Sequence, residues 1–380
     1  MKVVNVFEDA RVAGPQIYIL NLLTSIPKSK IDMTILMPEE FSGDFQSLCS
    51  KANVKFKVVP LSRIGQKIRV LIKYILSFPF DIIRLYKVFK AEDYDLIYLC
   101  GGSWQFRGLI AGKLLGKKVI WHLNDAFIPL PIRINFFFLS KFADGFVFAS
   151  KRSKQYYERY IRSDIRGFII PSSVDVLKFN PDLVHVDLSM KEEFKNKIVI
   201  GTVANINPIK GLENLIYAAA TLNKKFDNIF FLIVGPIFPT QEIYYQNLIN
   251  LMRINNVNNI RFIGATSDVR PYLKLFDIYA CCSKSESSPI AVWEAMSMSK
   301  PIVSTDVGDV ACYIDDQVSG FITKVNDHEE LALRLNDLIL NKGMRIQFSK
   351  VSRRIAKNKL SVELCSLRHQ EAFNFFLANT

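Results

Sequence analysis

The chain has 380 residues, of which 49 % are hydrophobic and 22 % are charged. This composition is typical of a folded globular protein and excludes the disordered and fibrous classes. Because one hydrophobic core rarely serves more than about 250 to 300 residues, the length predicts two domains. Lysine and arginine outnumber aspartate and glutamate by 49 to 36, and the net charge of +13 favours polyanionic partners or an anionic membrane surface.

The cellular compartment is predicted from the cysteines and the N-terminus. The six cysteines show no CxxC spacing, and we interpret them as buried thiols in a reducing compartment. Glu8 and Asp9 lie where a signal peptide would continue its apolar core. No stretch reaches the roughly 18 to 20 apolar residues that a membrane span needs. The sequence therefore predicts a cytoplasmic protein without a transmembrane helix.

The first half alternates β-type runs with helical patterns, which is typical of a parallel sheet covered by helices on both faces. The predicted strands are Lys2–Phe7, Met33–Met37, Phe56–Val59, Leu96–Cys100, Val119–Leu123 and Phe146–Phe148. The predicted helices are Pro15–Ser25, Gln66–Lys90, Phe106–Leu115 and Lys151–Tyr160. These elements predict a doubly wound α/β domain over residues 1–172.

The alternation restarts at Ile198 and predicts a second Rossmann-like domain over residues 173–361. Its predicted strands are Ile198–Ala204, Phe230–Val234, Ile260–Ile263, Ile278–Cys281 and Pro301–Ser304, with helices at Leu212–Leu222 and Gln241–Ile254. The boundary falls between Pro171 and Asn196, where proline and polar residues interrupt the periodicity. In such sheets ligands bind at the carboxyl ends of the strands, so the residues that follow strands carry most functional weight.

Two carboxylates follow the predicted strand Ile278–Cys281. Glu286 lies in the loop, and Glu294 lies inside a helix that is predicted to start near Pro289. The first backbone N–H groups of this helix, at Ser288, Ile290 and Ala291, are expected to form an anion site. For the two carboxylates taken alone, the alternative is a solvated loop residue and an ordinary helical glutamate.

A second candidate lies between the predicted strand and helix around residues 204–212, where a phosphate-binding loop belongs. Lys210 supplies a compact positive charge, and Gly211 allows the backbone to approach a ligand closely. The alternative for Lys210 is a solvated lysine at the start of a helix.

The segment from Glu286 to Met296, followed by Lys300 to Gly308, resembles the E-x7-E motif of retaining GT-B glycosyltransferases, in particular glycosyltransferase family four (glycosyl transferases group 1). Four other segments agree with that family in order and spacing: Gly201–Gly211, Phe231–Gly235, Arg261–Gly264 and Ser319–Ile322. The resemblance covers roughly residues 165 to 340.

The resemblance implies a GT-B fold, in which two facing Rossmann-like domains enclose a cleft and residues 362–380 pack back on the first domain. It also implies a donor site in the second domain. There Glu294 would bind the nucleotide ribose, Glu286 would lie beside the transferred sugar, and a pocket for sugar and diphosphate would be lined by Ser288, Pro289 and Ile290. The implied donor is a UDP- or GDP-linked sugar, and the implied transfer retains the anomeric configuration and needs no metal or other cofactor.

Three further positions are assigned through the resemblance. Asn205 stands where many members carry an arginine, so one of two donor-site cations is missing. His122 ends a strand at the place of a family histidine that contacts the donor sugar, with a structural histidine as the alternative. Gly14 lies in a segment that resembles the family's glycine-rich loop near the diphosphate and acceptor. The other histidines, His185, His328 and His369, are expected at the surface.

Residues 63–90 carry seven cations against Asp81 alone, interleaved with apolar residues. The pattern favours a pair of amphipathic helices. One interpretation places these helices on the anionic inner face of the cytoplasmic membrane. The other packs them on the core with a solvated basic face, and both interpretations remain open. No nucleic-acid-binding signature accompanies the charge, so we expect no nucleic-acid partner.

The predicted function is therefore a retaining glycosyltransferase of the hexosyltransferase type. Its expected acceptor is a glycan or lipid-linked glycan in the biosynthesis of a cell-surface polysaccharide such as lipopolysaccharide, capsule or exopolysaccharide. The alternatives are a nucleotide-sugar-binding protein without transferase activity and a related epimerase or phosphorylase.

Overall fold

The computed structural model describes residues 1–27, 30–63, 68–125 and 127–378. It divides into two compact units, one formed by Met1–Ser173 with Val362–Thr380 and the other by Val174–Ser361. Each unit is built on one parallel sheet with helices between its strands. The predicted α/β class with two doubly wound units is confirmed.

The described residues of the first unit form seven strands and seven α-helices. The strands are β1 (Lys2–Val6), β2 (Asp32–Pro38), β3 (Phe56–Val59), β4 (Leu96–Cys100), β5 (Lys118–Leu123), β6 (Gly145–Phe148) and β7 (Gly167–Ile169). The helices are α1 (Gly14–Ser25), α2 (Gly43–Lys51), α3 (Ile68–Glu92), α4 (Phe106–Leu114), α5 (Leu130–Leu139), α6 (Lys151–Tyr157) and the C-terminal Val362–Ala378. The sheet order is β3-β2-β1-β4-β5-β6-β7.

One face of this sheet is covered by α3, α4, α5 and α6, whose buried side chains share a core with those of β1, β4, β5 and β6. Two glycines bring α4 close to the strands. A Cβ at Gly108 would lie 2.6 Å from a methyl carbon of Leu99, and one at Gly112 would lie 2.6 Å from a methyl carbon of Ile97. The i, i+4 spacing of these glycines therefore sets the distance between helix and sheet.

The second unit contains six strands. They are β8 (Ile198–Val203), β9 (Ile229–Val234), β10 (Ile260–Gly264), β11 (Ile278–Cys281), β12 (Ile302–Thr305) and β13 (Gly320–Thr323), in the order β10-β9-β8-β11-β12-β13. The helices are α7 (Leu188–Glu193), α8 (Leu212–Leu222), α9 (Glu242–Ile254), α10 (Arg270–Leu275), α11 (Ile290–Ser297), α12 (Val310–Tyr313), α13 (His328–Leu340) and α14 (Lys342–Lys359). The C-terminal helix Val362–Ala378, here α15, belongs to the first unit and packs on α1.

Several elements differ from the sequence predictions. Strands β7 and β13 and helices α2 and α5 were not predicted, since the strands have only three or four residues and α5 lacks a polar face. The predicted helix Gln66–Lys90 corresponds to α3, whereas the interpretation of residues 63–90 as a pair of helices is wrong, because α3 runs through Pro79 as one helix. Ile64–Lys67 lie outside the described residues. The cysteines are free and buried as predicted, except for Cys312, which is exposed.

Helix α3 is tied to the first unit by a buried ionic cluster. Asp81 has no exposed surface and accepts hydrogen bonds from the Ser62 hydroxyl at 2.6 Å and from Arg107 at 2.8 Å. Arg107 is equally buried and pairs with Glu8 at 2.6 Å. Removing one partner from such a cluster typically costs about 3 to 5 kcal/mol, because an unpaired charge stays buried. The inner face of α3 is therefore fixed, and only its outer face is free to meet another surface.

Within the described ranges, every helix is too short or too polar to cross a lipid bilayer.

Candidate functional site

The predicted donor residues of the second unit meet where β8 and β11 end. These two strands are neighbours in the sheet, so the loops that follow them lie side by side. Lys210 ends a short 3-10 turn after β8, and Glu286 lies in the loop after β11. The Lys210 Nζ atom lies 2.6 Å from Glu286 Oε1, although the residues are 76 positions apart in the sequence. The structure thus brings two predicted site residues into one ion pair.

The backbone holds the two loops together. The Asn207 side chain caps the 3-10 turn by accepting a hydrogen bond from Ile209 N–H at 3.0 Å. Gly211 has a φ of +59°, and a Cβ at this position would collide with the carbonyl oxygen of Cys282. The N–H of Lys284 donates to the Ile209 carbonyl at 2.7 Å. Glycine is therefore required at 211 both for its left-handed backbone and for the close approach of the β11 loop.

Glu286 is positioned by a side chain that the sequence reasoning missed. The Ser283 hydroxyl donates to Glu286 Oε1 at 2.8 Å, and the Ser283 carbonyl accepts a hydrogen bond from the Thr305 hydroxyl at 2.7 Å. The only signal in the sequence is a serine two residues after the end of a strand and three residues before the carboxylate.

The Lys210–Glu286 pair is charged and remains accessible. Burial of Lys210 acts to lower its pKa, but the charge and hydrogen bond of Glu286 outweigh burial, so the pKa lies above its ordinary value. The Lys210 and Glu286 side chains expose 26 % and 16 % of their surface. A ligand can therefore reach a fixed cation and a fixed carboxylate at the same point.

Helix α11 begins beside this pair. Pro289 is its N-cap residue and Ile290 its first residue, one position later than the predicted start of the helix. Pro289 is buried, whereas Ser288 and Ile290 are half-buried. The Trp293 ring N–H donates to the Ser288 hydroxyl at 3.2 Å and so fixes the turn that enters the helix.

Glu294 lies one turn inside α11. Its side chain is half-buried, and no hydrogen bond to its carboxylate is found in the described part of the chain. Burial raises the pKa of Glu294 to about 8, against the opposing charge of Lys178. A desolvated carboxyl group of this kind has unused capacity for hydrogen bonds, which a polar ligand can fill.

Asn205 follows β8 and is half-buried; no side-chain hydrogen bond is found for it among the described residues. Two glycines allow backbone segments to pack around the site. A Cβ at Gly235 would collide with the carbonyl of Ala204, and one at Gly308 would collide with that of Ser287. The amide of Asn205 therefore sits on a closely packed loop and can donate or accept a hydrogen bond, but it supplies no charge.

The first-unit candidates have a different setting. Gly14 begins α1, is exposed, and has open space where a Cβ would stand. His122 ends β5 and has no exposed surface. Its Nδ1 lies 2.7 Å from the Tyr98 hydroxyl and its Nε2 lies 3.2 Å from the Asn124 amide, so both ring nitrogens are bonded within the protein. In this structure His122 has no atom that can touch a donor sugar.

His369 is part of the same buried cluster, and its predicted surface location is wrong. Its Nε2 lies 3.1 Å from the Tyr18 hydroxyl and 3.0 Å from the Tyr98 hydroxyl. Burial, and to a smaller extent the nearby His369, lowers the pKa of His122 well below its ordinary value. Burial likewise lowers the pKa of His369 to about 4. Both imidazoles are therefore neutral near pH 7. No local pattern predicts this contact, since His369 lies 247 positions after its cluster partner His122.

Comparison with known proteins shows which family the second unit resembles. Residues 187–355 match the family model described as glycosyl transferases group 1. The chain is a glycosyltransferase. The Escherichia coli UDP-Gal:alpha-D-GlcNAc-diphosphoundecaprenol alpha-1,3-galactosyltransferase is 24 % identical over 296 residues, which cover 73 % of each protein.

Two further similarities extend over most of this glycosyltransferase. The Campylobacter jejuni N,N'-diacetylbacillosaminyl-diphospho-undecaprenol alpha-1,3-N-acetylgalactosaminyltransferase is 23 % identical over 337 residues, which cover 80 % of this chain and 87 % of the relative. The crystal structure of HepE from Anabaena in complex with UDP-glucose matches with a TM-score of 0.83 at 19 % identity, covering 99 % of this chain and all of HepE. This likeness shows the fold, which is the predicted GT-B fold.

Proposed function

We propose that the chain is a retaining hexosyltransferase that moves a sugar from a UDP-linked donor to a lipid-linked glycan during the biosynthesis of a cell-surface polysaccharide. The observation that carries this proposal is the Lys210–Glu286 ion pair at the adjoining ends of β8 and β11. The printed names of the Escherichia coli and Campylobacter jejuni relatives, which both specify a diphosphoundecaprenol-linked sugar, support the choice of acceptor. The UDP-glucose bound by HepE supports the choice of donor over a GDP-linked sugar.

The donor diphosphate is assigned to Lys210. Glu286 pairs with this lysine, so a bound diphosphate would be a second counterion of Lys210 and would leave Glu286 beside the attached sugar. The amide of Asn205 adds a hydrogen-bond donor without a charge. Leaving-group stabilisation therefore depends on Lys210 and on the N-terminus of α11 more than it would with an arginine at position 205.

The nucleotide ribose is assigned to Glu294, whose carboxyl group has room for hydrogen bonds from vicinal hydroxyls. Ser288, Pro289 and Ile290 would line the pocket between ribose and sugar, with Gly211 providing close backbone approach. Gly14 of the first unit is assigned, through the family resemblance alone, to space near the diphosphate and acceptor.

The proposed reaction forms a bond between an acceptor hydroxyl oxygen and the anomeric carbon on the face from which the diphosphate departs. The bond from that carbon to the diphosphate oxygen breaks, the hydroxyl proton passes to the departing diphosphate, and UDP leaves. The side chains bind, orient and neutralise charge, and none of them forms a covalent bond to the sugar. No cofactor or metal takes part in this proposal.

The role of His122 follows from the family resemblance and is not carried by the geometry. Direct contact with a sugar would require the imidazole to give up a buried hydrogen bond to Tyr98 or Asn124. We therefore place His122 outside the proposed donor contacts and treat its catalytic role as a separate hypothesis.

Contact with an anionic membrane through residues 63–90 is also part of the proposal. The outer face of α3 is apolar and basic, with exposed Ile75, Leu76 and Phe80. Next to it lies a groove of about 750 Å³ that is lined by three cations, by the two carboxylates Glu39 and Glu40 and by apolar side chains. Glu40 pairs with Lys73, while Arg69 and Arg84 also line the groove. Such a surface suits the head groups and chains of anionic lipids.

The test is transfer by the purified chain from UDP- and GDP-linked hexoses to a polyprenyl-diphosphate-linked sugar. We expect a product with the donor's anomeric configuration, read by NMR, and activity that is lost in Glu286→Ala and Lys210→Ala. The matched control is Lys195→Ala, which removes an exposed lysine of the same unit. Inversion at the anomeric carbon would refute the retaining mechanism. Donor binding without any transfer would support the non-transferase alternative.

A further inference from the structure

Helix α5 is apolar on two opposite sides, which is unusual for a helix at a protein surface. Its inner stripe, formed by Ile132, Phe136 and Leu139, packs on the core of the first unit. Its outer stripe has the spacing i, i+4, i+7, i+8 and consists of Leu130, Ile134, Phe137 and Phe138. All four outer side chains are exposed, from 41 % for Phe137 to 60 % for Leu130. Packing on the core therefore accounts for the inner apolar stripe of this helix but not for the outer one.

Two flanking phenylalanines extend the outer stripe. Phe127 is 69 % exposed just before the helix, and Phe142 is 60 % exposed just after it. We call these six residues the α5 patch: Phe127, Leu130, Ile134, Phe137, Phe138 and Phe142. Single exposed apolar residues are ordinary, but six large ones gathered on one helix and its flanks mark a surface that meets an apolar partner.

The charged residues within the segment that carries the α5 patch are all positive. Residues 127–143 contain Arg133 and Lys141 and no aspartate or glutamate. The Lys141 ammonium lies 4.5 Å from the ring centre of Phe137 and 5.7 Å from that of Phe138. The lysine therefore sits directly at the aromatic surface, where its charge would meet whatever covers the rings.

The α5 patch belongs to the same helical layer as α3. Side chains of both helices enter the single core on one face of the first-unit sheet, with α4 between them in the chain. The outer face of α3 is likewise apolar and basic, with Ile75, Leu76 and Phe80 exposed. One layer of the first unit therefore carries two exposed helices of the same amphiphilic character.

We propose that the α5 patch inserts its phenylalanines into the interface of an anionic lipid bilayer, and that this anchors the first unit on the membrane that holds the acceptor. The proposal deepens the proposed function, because it rests on an acceptor that is lipid-linked. Phenylalanine and leucine on one side with lysine and arginine beside them are the composition of interfacial helices. The cations then contact anionic head groups while the rings enter the acyl boundary.

A second copy of the chain fits the α5 patch less well. A two-fold contact would bring each patch against itself, so Arg133 and Lys141 of one copy would face the same cations of the other. No carboxylate of residues 127–143 is present to compensate them. An anionic lipid surface supplies the missing negative charge without any new protein group.

The experiment measures binding of the full chain to vesicles of phosphatidylcholine with and without phosphatidylglycerol, by co-flotation. Phe137→Gln/Phe138→Gln removes two exposed rings, and Arg133→Gln/Lys141→Gln removes both cations. We expect wild-type binding to require phosphatidylglycerol, and each double variant to weaken it by about tenfold or more. The control Ile243→Gln/Ile254→Gln removes two isoleucines of the second unit that are 80 % and 77 % exposed, and should bind like wild type.

Unchanged vesicle binding in Phe137→Gln/Phe138→Gln, or an equal loss in the control variant, would overturn the proposal. So would a concentration-dependent dimer that this variant abolishes, because the patch would then serve self-association. UDP affinity and transfer to a short-chain, water-soluble acceptor should stay unchanged in the variant. If wild type binds vesicles through the patch but transfers no sugar to any acceptor, the proposed function is refuted and the proposal that the α5 patch binds membranes is supported.

Discussion

The two units differ in how exposed the polar side chains at their strand ends are. In the second unit Lys210 and Glu286 form an ion pair that keeps 26 % and 16 % of its side-chain surface open. In the first unit His122 also lies at the end of a parallel strand, yet it is completely enclosed and its ring nitrogens bond Tyr98 and Asn124.

The difference lies in what covers each strand end. Helices α1 and α15 contribute Tyr18 and His369 to the first-unit cluster, which binds its own polar groups and keeps them neutral. The second-unit pair is charged, and its additional partner, Ser283, orients Glu286 without enclosing it. A polar residue at the end of a parallel strand is thus a candidate for binding or catalysis only when it keeps accessible surface or free hydrogen-bonding capacity.

The largest expected effect is the loss of transfer activity when the Lys210–Glu286 ion pair of the second unit is removed. Lys210→Ala should reduce transfer by about 10² to 10³-fold, because it removes the cation that stabilises the departing diphosphate and leaves the Glu286 carboxylate to repel it. The measurement is kcat/KM with the UDP-linked donor, alongside the melting temperature. Lys195→Ala should leave both values unchanged. A loss of less than tenfold in Lys210→Ala would break the assignment of the second-unit site.

A double variant at Lys210 and Glu286 tests whether the unpaired carboxylate repels the diphosphate. If part of the loss comes from the unpaired carboxylate, Lys210→Ala/Glu286→Ala should bind UDP more tightly than Lys210→Ala alone, even though it transfers no sugar. Calorimetric titration with UDP measures this difference. Equal or weaker binding by the double variant would show that Glu286 does not act on the diphosphate.

A substitution in the buried His122 cluster of the first unit should lower stability rather than donor binding. His122→Ala removes one of the two imidazole partners of the buried Tyr98 hydroxyl, removes the partner of the Asn124 amide nitrogen, and leaves a cavity in the core. The melting temperature should therefore fall by about 5 to 10 °C. UDP affinity of the folded molecules should remain within about twofold of wild type. His185→Ala, which changes an exposed histidine, is the matched control. A stable variant with strongly reduced transfer would instead restore the catalytic role that the family resemblance implies.

A smaller effect is expected for the residue that orients Glu286. Ser283→Ala removes one hydrogen bond to a carboxylate that keeps its ion pair, so kcat should fall by about three- to tenfold with little change in KM. Ser283→Thr keeps the hydroxyl and should recover most of the activity. If the threonine and alanine variants behave alike, the hydroxyl has no positioning role.

The smallest effect concerns pH and Glu294. The unfolded chain releases this proton near the ordinary pKa of 4.5, whereas burial holds it in the folded chain to about pH 8. Stability from this group therefore falls as pH rises between these values. Glu294→Gln removes the penalty, so its melting temperature relative to wild type should rise by about 2 to 6 °C between pH 5 and pH 8. A pH-independent difference between the two melting curves would contradict the raised pKa.

Much of the fold and of the donor site could be predicted because both depend on local pattern. Alternating apolar runs located most strands, and the residues after β8 and β11 were recognisable by their position after those strands. Lys210 and Glu286 were each predicted as donor-site residues, but their ion pair was not predicted, because it depends on how the loops after two neighbouring strands meet.

The remaining features depend on distant contacts or on the absence of a pattern. His369 joins His122 only because α15 packs on the first unit, which no local periodicity encodes. Helix α5 escaped prediction because its outer stripe is as apolar as its inner one, so it lacks the polar face by which a surface helix is recognised. Helix α3 was predicted over Gln66–Lys90, and only the interpretation of this segment as a pair of helices was wrong, since the structure has one helix that continues through Pro79.

The comparison between the two clusters is tested most directly by the dissociation constant of UDP, measured by calorimetry for wild type, Lys210→Ala and His122→Ala. Weakening by tenfold or more in Lys210→Ala, with His122→Ala within about twofold of wild type, is the expected result. Unchanged affinity in Lys210→Ala, or a loss confined to His122→Ala, would contradict the assignment of the donor diphosphate to the second-unit ion pair.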